Sequence, residues 1–336
     1  MEFRPGIIPL RPLQIGDLFG GVFKAVRGNP GATMGLAALT TFAFLLPTTA
    51  LGAWLSGQSS LGLLDESGAA SDTVPDGFGI GILGTYLPTI GQSFSAILLA
   101  GFLAQVVGQA VLGRKVSMGE VWRATRGRVL AMVGAVLVTA LAFVLVLLVT
   151  AGIPIGLIVY SYEAGGDSVG LTVLLVFVAI LATVVALILL ATKWSFATPA
   201  IVLERAGVIG GLRRSWSLVG SPLRGPFWRI FGLRLLTAFI VGTAATLITV
   251  PITFGLFVVI ALASGDGSGA GSELLVLQTV TTGIAGLLTG ALTTPFSAGV
   301  DALLYVDARI RTEGLDVRLI QATQGAAEPP WPTTTP

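Results

Sequence analysis

Six stretches of this 336-residue chain are each long and apolar enough to cross a lipid bilayer, and no other feature constrains the fold as strongly. They run over residues 31–55, 79–112, 129–160, 170–200, 229–263 and 273–305. An α-helix rises 1.5 Å per residue, so about 20 residues cross the hydrocarbon layer. No water is available there for backbone N–H and C=O groups, and a helix satisfies them within the segment. Several stretches exceed the required length, which implies tilt or extension beyond the lipid. Charged residues make up only 11% of the chain, against about 25% in soluble domains, and the mean hydropathy is +0.90. The fold class expected is all-α, a polytopic integral membrane protein with six transmembrane helices arranged as three hairpins. Residues 1–30 hold no apolar core of a secretory signal, so insertion is expected to begin with the first span as an uncleaved anchor.

The charges are distributed as six spans require. Three connections, 56–78, 161–169 and 264–273, are acidic and glycine-rich and contain no Lys or Arg. All nineteen basic residues, sixteen of them Arg, fall in the other segments: the N-terminal stretch, the second-to-third and fourth-to-fifth connections, and the C-terminal end. The positive-inside rule then places both termini in the cytoplasm. An odd number of spans would scatter the basic residues over both sides. The domain organisation expected is a cytoplasmic N-terminus with an amphipathic helix (1–30), a six-span domain (31–320) and a disordered cytoplasmic tail (321–336) rich in Pro and Thr. Within that tail Pro329-Pro330-Trp331-Pro332 reads either as a recognition motif or as plain solvated chain.

The basic segments resemble one another. Ile15-Gly16-Asp17-Leu18, Met118-Gly119-Glu120-Val121 and Ile209-Gly210-Gly211-Leu212 share the order apolar-Gly-x-aliphatic, and two spans follow each. Pro47, Pro154 and Pro251 fall toward the outer end of the first span of each pair. Thr198-Pro199 and Thr294-Pro295 fall toward the inner end of a second span. Prolines bend helices, and bends at matching places suggest three related units, each an interfacial helix plus a hairpin. In the first unit Ile15, Leu18, Phe19, Val22, Phe23 and Val26 recur at helical spacing. Such a helix is expected in the headgroup plane with its apolar face down, as a lipid- or partner-contacting collar or as a topological anchor.

The chain has neither cysteine nor histidine. Thiol nucleophiles, disulfides, imidazole bases and His/Cys zinc sites are excluded, and no catalytic, cofactor-binding or metal-binding residue is assigned. Ionisable groups near the midplane are missing, which disfavours a proton- or ion-coupled pump; Gln92, Gln105, Gln109 and Gln278 read as glue between helices. Gly283, Gly286 and Gly290 read as packing. Charges that enter a span are costly and mark function or register. They gather at the cytoplasmic edge: Lys193, Glu204, Arg213, Arg214, Arg229, Asp301 and Asp307. Asp301 is expected to pair with Arg229 or Arg234. The basic stretch 204–234, with Trp216, Phe227 and Trp228, suits anionic lipid headgroups or a phosphorylated ligand rather than nucleic acid.

A family resemblance runs through these residues. It is carried by Leu10-Arg11-Pro12-Leu13 leading into Ile15-Gly16-Asp17-Leu18, then Arg27-Gly28-Asn29-Pro30, Lys193-Trp194 and Pro199-Ala200-Ile201-Val202-Leu203-Glu204. It continues through Leu212-Arg213-Arg214-Ser215-Trp216, Phe227-Trp228-Arg229 and Leu304-Tyr305-Val306-Asp307-Ala308-Arg309-Ile310-Arg311. Over about residues 8–320 the chain resembles the actinobacterial glycerophosphoryl diester phosphodiesterase membrane-domain family. The resemblance implies the membrane half alone, because in the full-length enzymes the chemistry belongs to a separate soluble barrel with two histidines and metal-binding carboxylates. The expectation is therefore a non-enzymatic protein of a bacterial cell membrane, without cofactor. The role expected is a membrane subunit in transport or in assembling a protein partner, binding anionic lipid; the alternatives are a lipid-binding scaffold without transport and, as a remote third, glycerophosphodiester hydrolysis.

Overall fold

The computed structural model describes residues 6–58, 78–163, 169–223, 225–263, 271–324 and 331. The acidic connections lie largely outside the described residues, as does most of the segment after Gln324. All regular structure among the described residues is helical: α1 (Ile15–Gly28), α2 (Leu36–Ser56), α3 (Phe78–Val111), α4 (Met118–Thr125), α5 (Val129–Glu163), α6 (Val169–Lys193), α7 (Ala197–Leu203), α8 (Val208–Val219), α9 (Phe227–Ala263), α10 (Gly271–Glu313) and α11 (Leu315–Thr323). Six segments are long and apolar enough to cross a membrane: Gly31–Ser56, Gly79–Val111, Met118–Pro154, Gly170–Leu203, Phe227–Val259 and Leu275–Glu313. The prolines act unequally. Pro47, Pro154, Pro251 and Pro295 sit inside continuous helices, whereas the fourth span breaks between Lys193 and Ala197, just before Pro199.

Each hairpin is preceded by a short amphipathic helix, as the repeat implies. Asp17 accepts from Gln14 N at 3.3 Å and Glu120 from Ser117 N at 2.7 Å, so two of the starts are closed by an acidic third residue. The third start lacks this, since Gly210 stands there. The third copy is also displaced by one residue. The fourth position of α1 and α4 holds buried Leu18 and Val121; in α8 it holds Gly211, not Leu212. A Cβ on Gly211 would meet Ile201 Cγ1 at 2.5 Å and Ala197 O at 3.1 Å, so α8 approaches α7 too closely for a side chain.

The expectation for α1 needs correction. Its buried face rests on protein. Val22 lies 2.9 Å from where a Gly299 Cβ would stand, Leu303 equally close to one on Gly21, and Phe19 stacks on Phe296 at 5.9 Å between centroids. Two glycines, one on each helix, let α1 and α10 meet, and burying Leu18 and Val22 is worth about 1.5–3 kcal/mol each relative to water. Only Ile15 and Phe23 remain as large exposed apolar groups on this helix.

Helices α2, α3 and α10 form a central bundle packed through glycines and hydroxyls. Gly283, Gly286 and Gly290 of α10 face Thr49, Leu45 and Thr41 of α2. Thr41 also bonds Ser95 of α3 at 3.2 Å, and Ser56 bonds Thr279 at 3.1 Å. Small residues and interhelical hydroxyls are what bring helices together where lipid offers no hydrophobic drive. Helices α5, α6 and α9 form an outer shell held chiefly at one end. Among the described residues, α5 has no buried position between Ala135 and Pro154, those on α9 stop at Thr237, and those of the fourth span begin at Thr192. Along these stretches the described residues, Pro154 apart, are exposed or half-buried, with Leu141, Leu148, Phe177, Leu181, Phe239 and Leu247 among the open side chains.

The C-terminal segment departs from a solvated tail. Helix α11 continues to Thr323 with Leu319 buried, and Trp331 is 3% exposed, its indole beside Gly108 and Leu203. The helix of the sixth span likewise continues to Glu313, past the apolar stretch. Two i,i+4 pairs support that extension: Asp307–Arg311 at 2.9 Å and Arg309–Glu313 at 3.0 Å.

Candidate functional site

The shell, the central bundle and the N-terminal segment meet at the basic end of the molecule, where three ion-pair groups hold them. The most buried group centres on Asp307 of α10, 2% exposed. Its Oδ1 accepts from Leu13 N at 2.7 Å, while Arg229 of α9 and Arg311 donate to its carboxylate at 3.0 and 2.9 Å. The same two guanidinium groups donate to Leu13 O, at 2.6 and 2.9 Å. One residue thus offers its N–H to the acid and its C=O to both bases, and the start of the chain is clasped to its far end.

The second group joins α7, α8 and α10 through Glu204. Arg214 donates to it at 2.8 Å, Tyr305 donates its hydroxyl, and Arg309 lies at 3.4 Å. Glu313 closes the ring by pairing with both Arg214 and Arg309. Arg205, at φ +55°, turns the chain directly after Glu204. Burial works to raise the Glu204 pKa, but hydrogen bonds from Arg214 and Tyr305 and the charge of Arg309 prevail and hold it below the ordinary 4.5. A depressed carboxylate stabilises the fold fully above its unfolded-state pKa and loses that contribution as pH falls through the folded value. Thermal midpoints in detergent are therefore expected to fall as pH drops below about 4.5. Glu204→Gln should lower the midpoint at pH 7 and flatten that acid limb; an unchanged limb would remove Glu204 from the network's pH response.

The third group resolves the Asp301 question. Its partner is Arg234, at 3.2 Å, while Arg229 belongs to Asp307. Arg234 also donates to Ala191 O at 3.1 Å, tying α9 to α6. Lys193, 7% exposed, donates to Gly220 O at the end of α8 and lies 4.8 Å from the Trp216 ring. It covers carbonyls that a helix end leaves unpaired. Arg213 points elsewhere and is exposed. Of the seven charged residues singled out from sequence, six are engaged in these contacts. Tyr305, Arg309, Arg311 and Glu313 were missed, although Tyr305-x3-Arg309-x3-Glu313 and Asp307-x3-Arg311 place them on successive turns beside residues already chosen.

Above these ties, between α3, α5, the broken fourth span and α9, lies a cleft of about 370 Å³. Its walls include Ile97, Ala135, Val136, Ala140 and Phe143; its polar corner holds Ser195, Thr198 and Arg234. The residues 194–196 that interrupt the fourth span open it, because Ser195 Oγ turns back onto Thr192 O at 2.8 Å and the helix axis restarts only at Ala197.

A family model described as a domain of unknown function (DUF7847) matches residues 13–308. The chain belongs to the DUF7847 family. The matched segment begins at Leu13 and ends beside Asp307, the two partners of the clasp, so the DUF7847 domain is closed where its ends meet. No curated protein and no solved structure matches the chain.

Proposed function

We propose that this DUF7847 protein is a membrane subunit that accommodates a lipid-like amphiphile in the cleft between its central bundle and its outer shell. The observation that carries the reading is the combination of that cleft with a shell whose described side chains beyond it, Pro154 apart, are exposed or half-buried. In a bilayer the gap is open to acyl chains, and the apolar walls suit them. The polar corner, with Arg234 paired to Asp301 at 3.2 Å, suits a headgroup. The protein is read as non-enzymatic and seated in a bacterial cell membrane with its basic end in the cytoplasm, since every basic residue lies in segments on that side. Exposed Arg123, Arg126 and Arg213, beside exposed Trp122 and Trp216, are then available to anionic headgroups or a protein partner.

Native mass spectrometry of protein purified in mild detergent tests this. Retained phospholipid is expected on the wild type and less of it on Ala140→Trp, which fills the cleft from α5. Equal retention by both proteins would refute the cleft as the site. A scaffold reading, favoured by the tight α2–α3–α10 packing, predicts retention without movement. Reconstituted vesicles carrying a headgroup-labelled lipid in one leaflet separate the two, because only transport equilibrates the label.

A further inference from the structure

A second cavity, of about 220 Å³, opens at the basic end between the N-terminal segment, the last turns of α1 and the reversal that follows α3. None of its lining residues is shared with the cleft. Its floor is apolar, made by Ala25 and Val106, both buried, with Ile7 and Ala110 beside them. Its rim carries the exposed side chains of Lys24, Arg114 and Lys115.

Specific backbone choices build this cavity. Ile7 N donates to Ala110 O at 3.2 Å, laying the N-terminal segment on the end of α3. The approach needs glycine at position 6, because a Cβ there would fall 2.6 Å from Val111 O and 2.8 Å from Gly113 N. Gly113 takes φ +77°, a left-handed conformation that turns the chain and delivers Arg114 and Lys115 to the rim. Asn29 Nδ2 donates to Val116 O at 2.6 Å, fastening the end of α1 to the same reversal.

The rim charges have no carboxylate among the described lining residues. Carboxylates of the surrounding elements are engaged: Asp17 with Arg11 at 3.4 Å, and Glu120, whose charge reaches Arg114, with Ser117 N at 2.7 Å. Three like charges around one mouth repel one another and favour an anion placed among them. Lys and Arg together are the side chains that hold phosphate oxygens, Arg by paired N–H donors and Lys as a point charge.

We infer that this cavity binds a phosphate-type anion, with the phosphoryl group at the Lys24–Arg114–Lys115 rim and its organic substituent on the apolar floor. The same chemistry is offered by an anionic phospholipid headgroup and by a free phosphate, and the rim is placed to receive either. The site goes beyond the cleft reading and does not depend on it.

The experiment uses the full chain in mild detergent, as wild type and as the triple variant Lys24→Gln/Arg114→Gln/Lys115→Gln. One arm follows the thermal midpoint during titration with inorganic phosphate, against chloride at equal ionic strength. The other counts phosphatidylglycerol retained, by native mass spectrometry, after mixing with equal amounts of phosphatidylglycerol and phosphatidylcholine. The wild type is expected to respond in at least one arm, and the triple variant to bind about tenfold more weakly or worse. A response to inorganic phosphate identifies a free phosphate group as sufficient; a response to phosphatidylglycerol alone identifies the headgroup. Either response confined to the wild type supports the site. No response by the wild type in both arms, or an equal response by the triple variant, overturns it. Should the triple variant fail to elute as a single species, Lys115→Glu, at an exposed position, serves in its place with the same criteria. Ala140→Trp should leave both arms' rim-dependent difference intact, so failure of the cleft and failure of this site are distinguishable.

Discussion

Asp307→Asn is expected to destabilise the protein by about 3–5 kcal/mol, the cost of removing one partner from a buried charge group. The carboxylate is 2% exposed and carries three donors: Leu13 N, Arg229 and Arg311. Asparagine keeps the shape and loses the charge. Two guanidinium groups then face each other across Leu13 O with no anion between them, and the new Nδ2 puts a donor where a carboxylate oxygen accepted. The loss is also topological, because this carboxylate joins the N-terminal segment, α9 and α10. Thermal unfolding in detergent should show a large fall in midpoint, and chymotrypsin should cut after Leu13, which is fully buried in the clasp, at temperatures where the wild type resists. Arg311→Gln should cost far less, since Arg229 still meets the carboxylate at 3.0 Å. Equal midpoints for wild type and Asp307→Asn would show that the clasp does not hold the fold together.

The ease with which different features could be read from sequence follows from the range of the interactions behind them. The six spans were legible because solvent selects them residue by residue: an apolar run of sufficient length has one use in a bilayer. The amphipathic helices were legible as well, since periodicity and an acidic third residue are local signals, in Asp17 and Glu120 alike. Where those signals were weak, the register slipped by one: Gly211 takes the fourth helical position, and Leu212 is buried one place later. Asp301 was correctly drawn toward the fifth span, but the choice between Arg229 and Arg234 turned on rotation of α9 about its axis, which no local pattern encodes. The link from Asp307 to Leu13 spans 294 positions and uses backbone atoms on one side, so residue types carry no trace of it. The cleft was harder still. It exists because α5, α6 and α9 dock chiefly at their basic ends, a property of how helices are packed and not of any one helix. Trp331 shows the opposite error: a segment polar in composition was read as solvated, yet a single indole found a glycine-lined place beside Gly108.

Gly84→Leu should be the most damaging substitution within the membrane bundle, and its contrast with Gly242→Leu tests how that bundle is held. Gly84 of α3 faces α2 backbone to backbone. A Cβ there would stand 2.6 Å from Gly52 O, 2.7 Å from Ser56 Oγ and 2.9 Å from Ser56 N. Two of those atoms belong to the main chain of a continuous helix, so no rotamer change relieves the overlap; α2 must move. Overpacking of this kind costs about 1–3 kcal/mol when neighbours can shift, and more when they cannot. Moving α2 also pulls Ser56 from Thr279, which it meets at 3.1 Å, and so loosens the third helix of the bundle. Gly242 of α9 has nothing within 4 Å of its own Cβ position, and its helix faces outward there. Leucine at 242 should be neutral, and its higher helix propensity favours it. Equilibrium unfolding in mixed micelles, with both variants beside the wild type, reads the difference directly. Comparable losses in the two variants would mean that helix approach through glycine does not hold the bundle. A loss confined to Gly84→Leu would assign the stability away from the basic end to α2–α3–α10 and leave the outer shell free to part from it there, which the cleft requires.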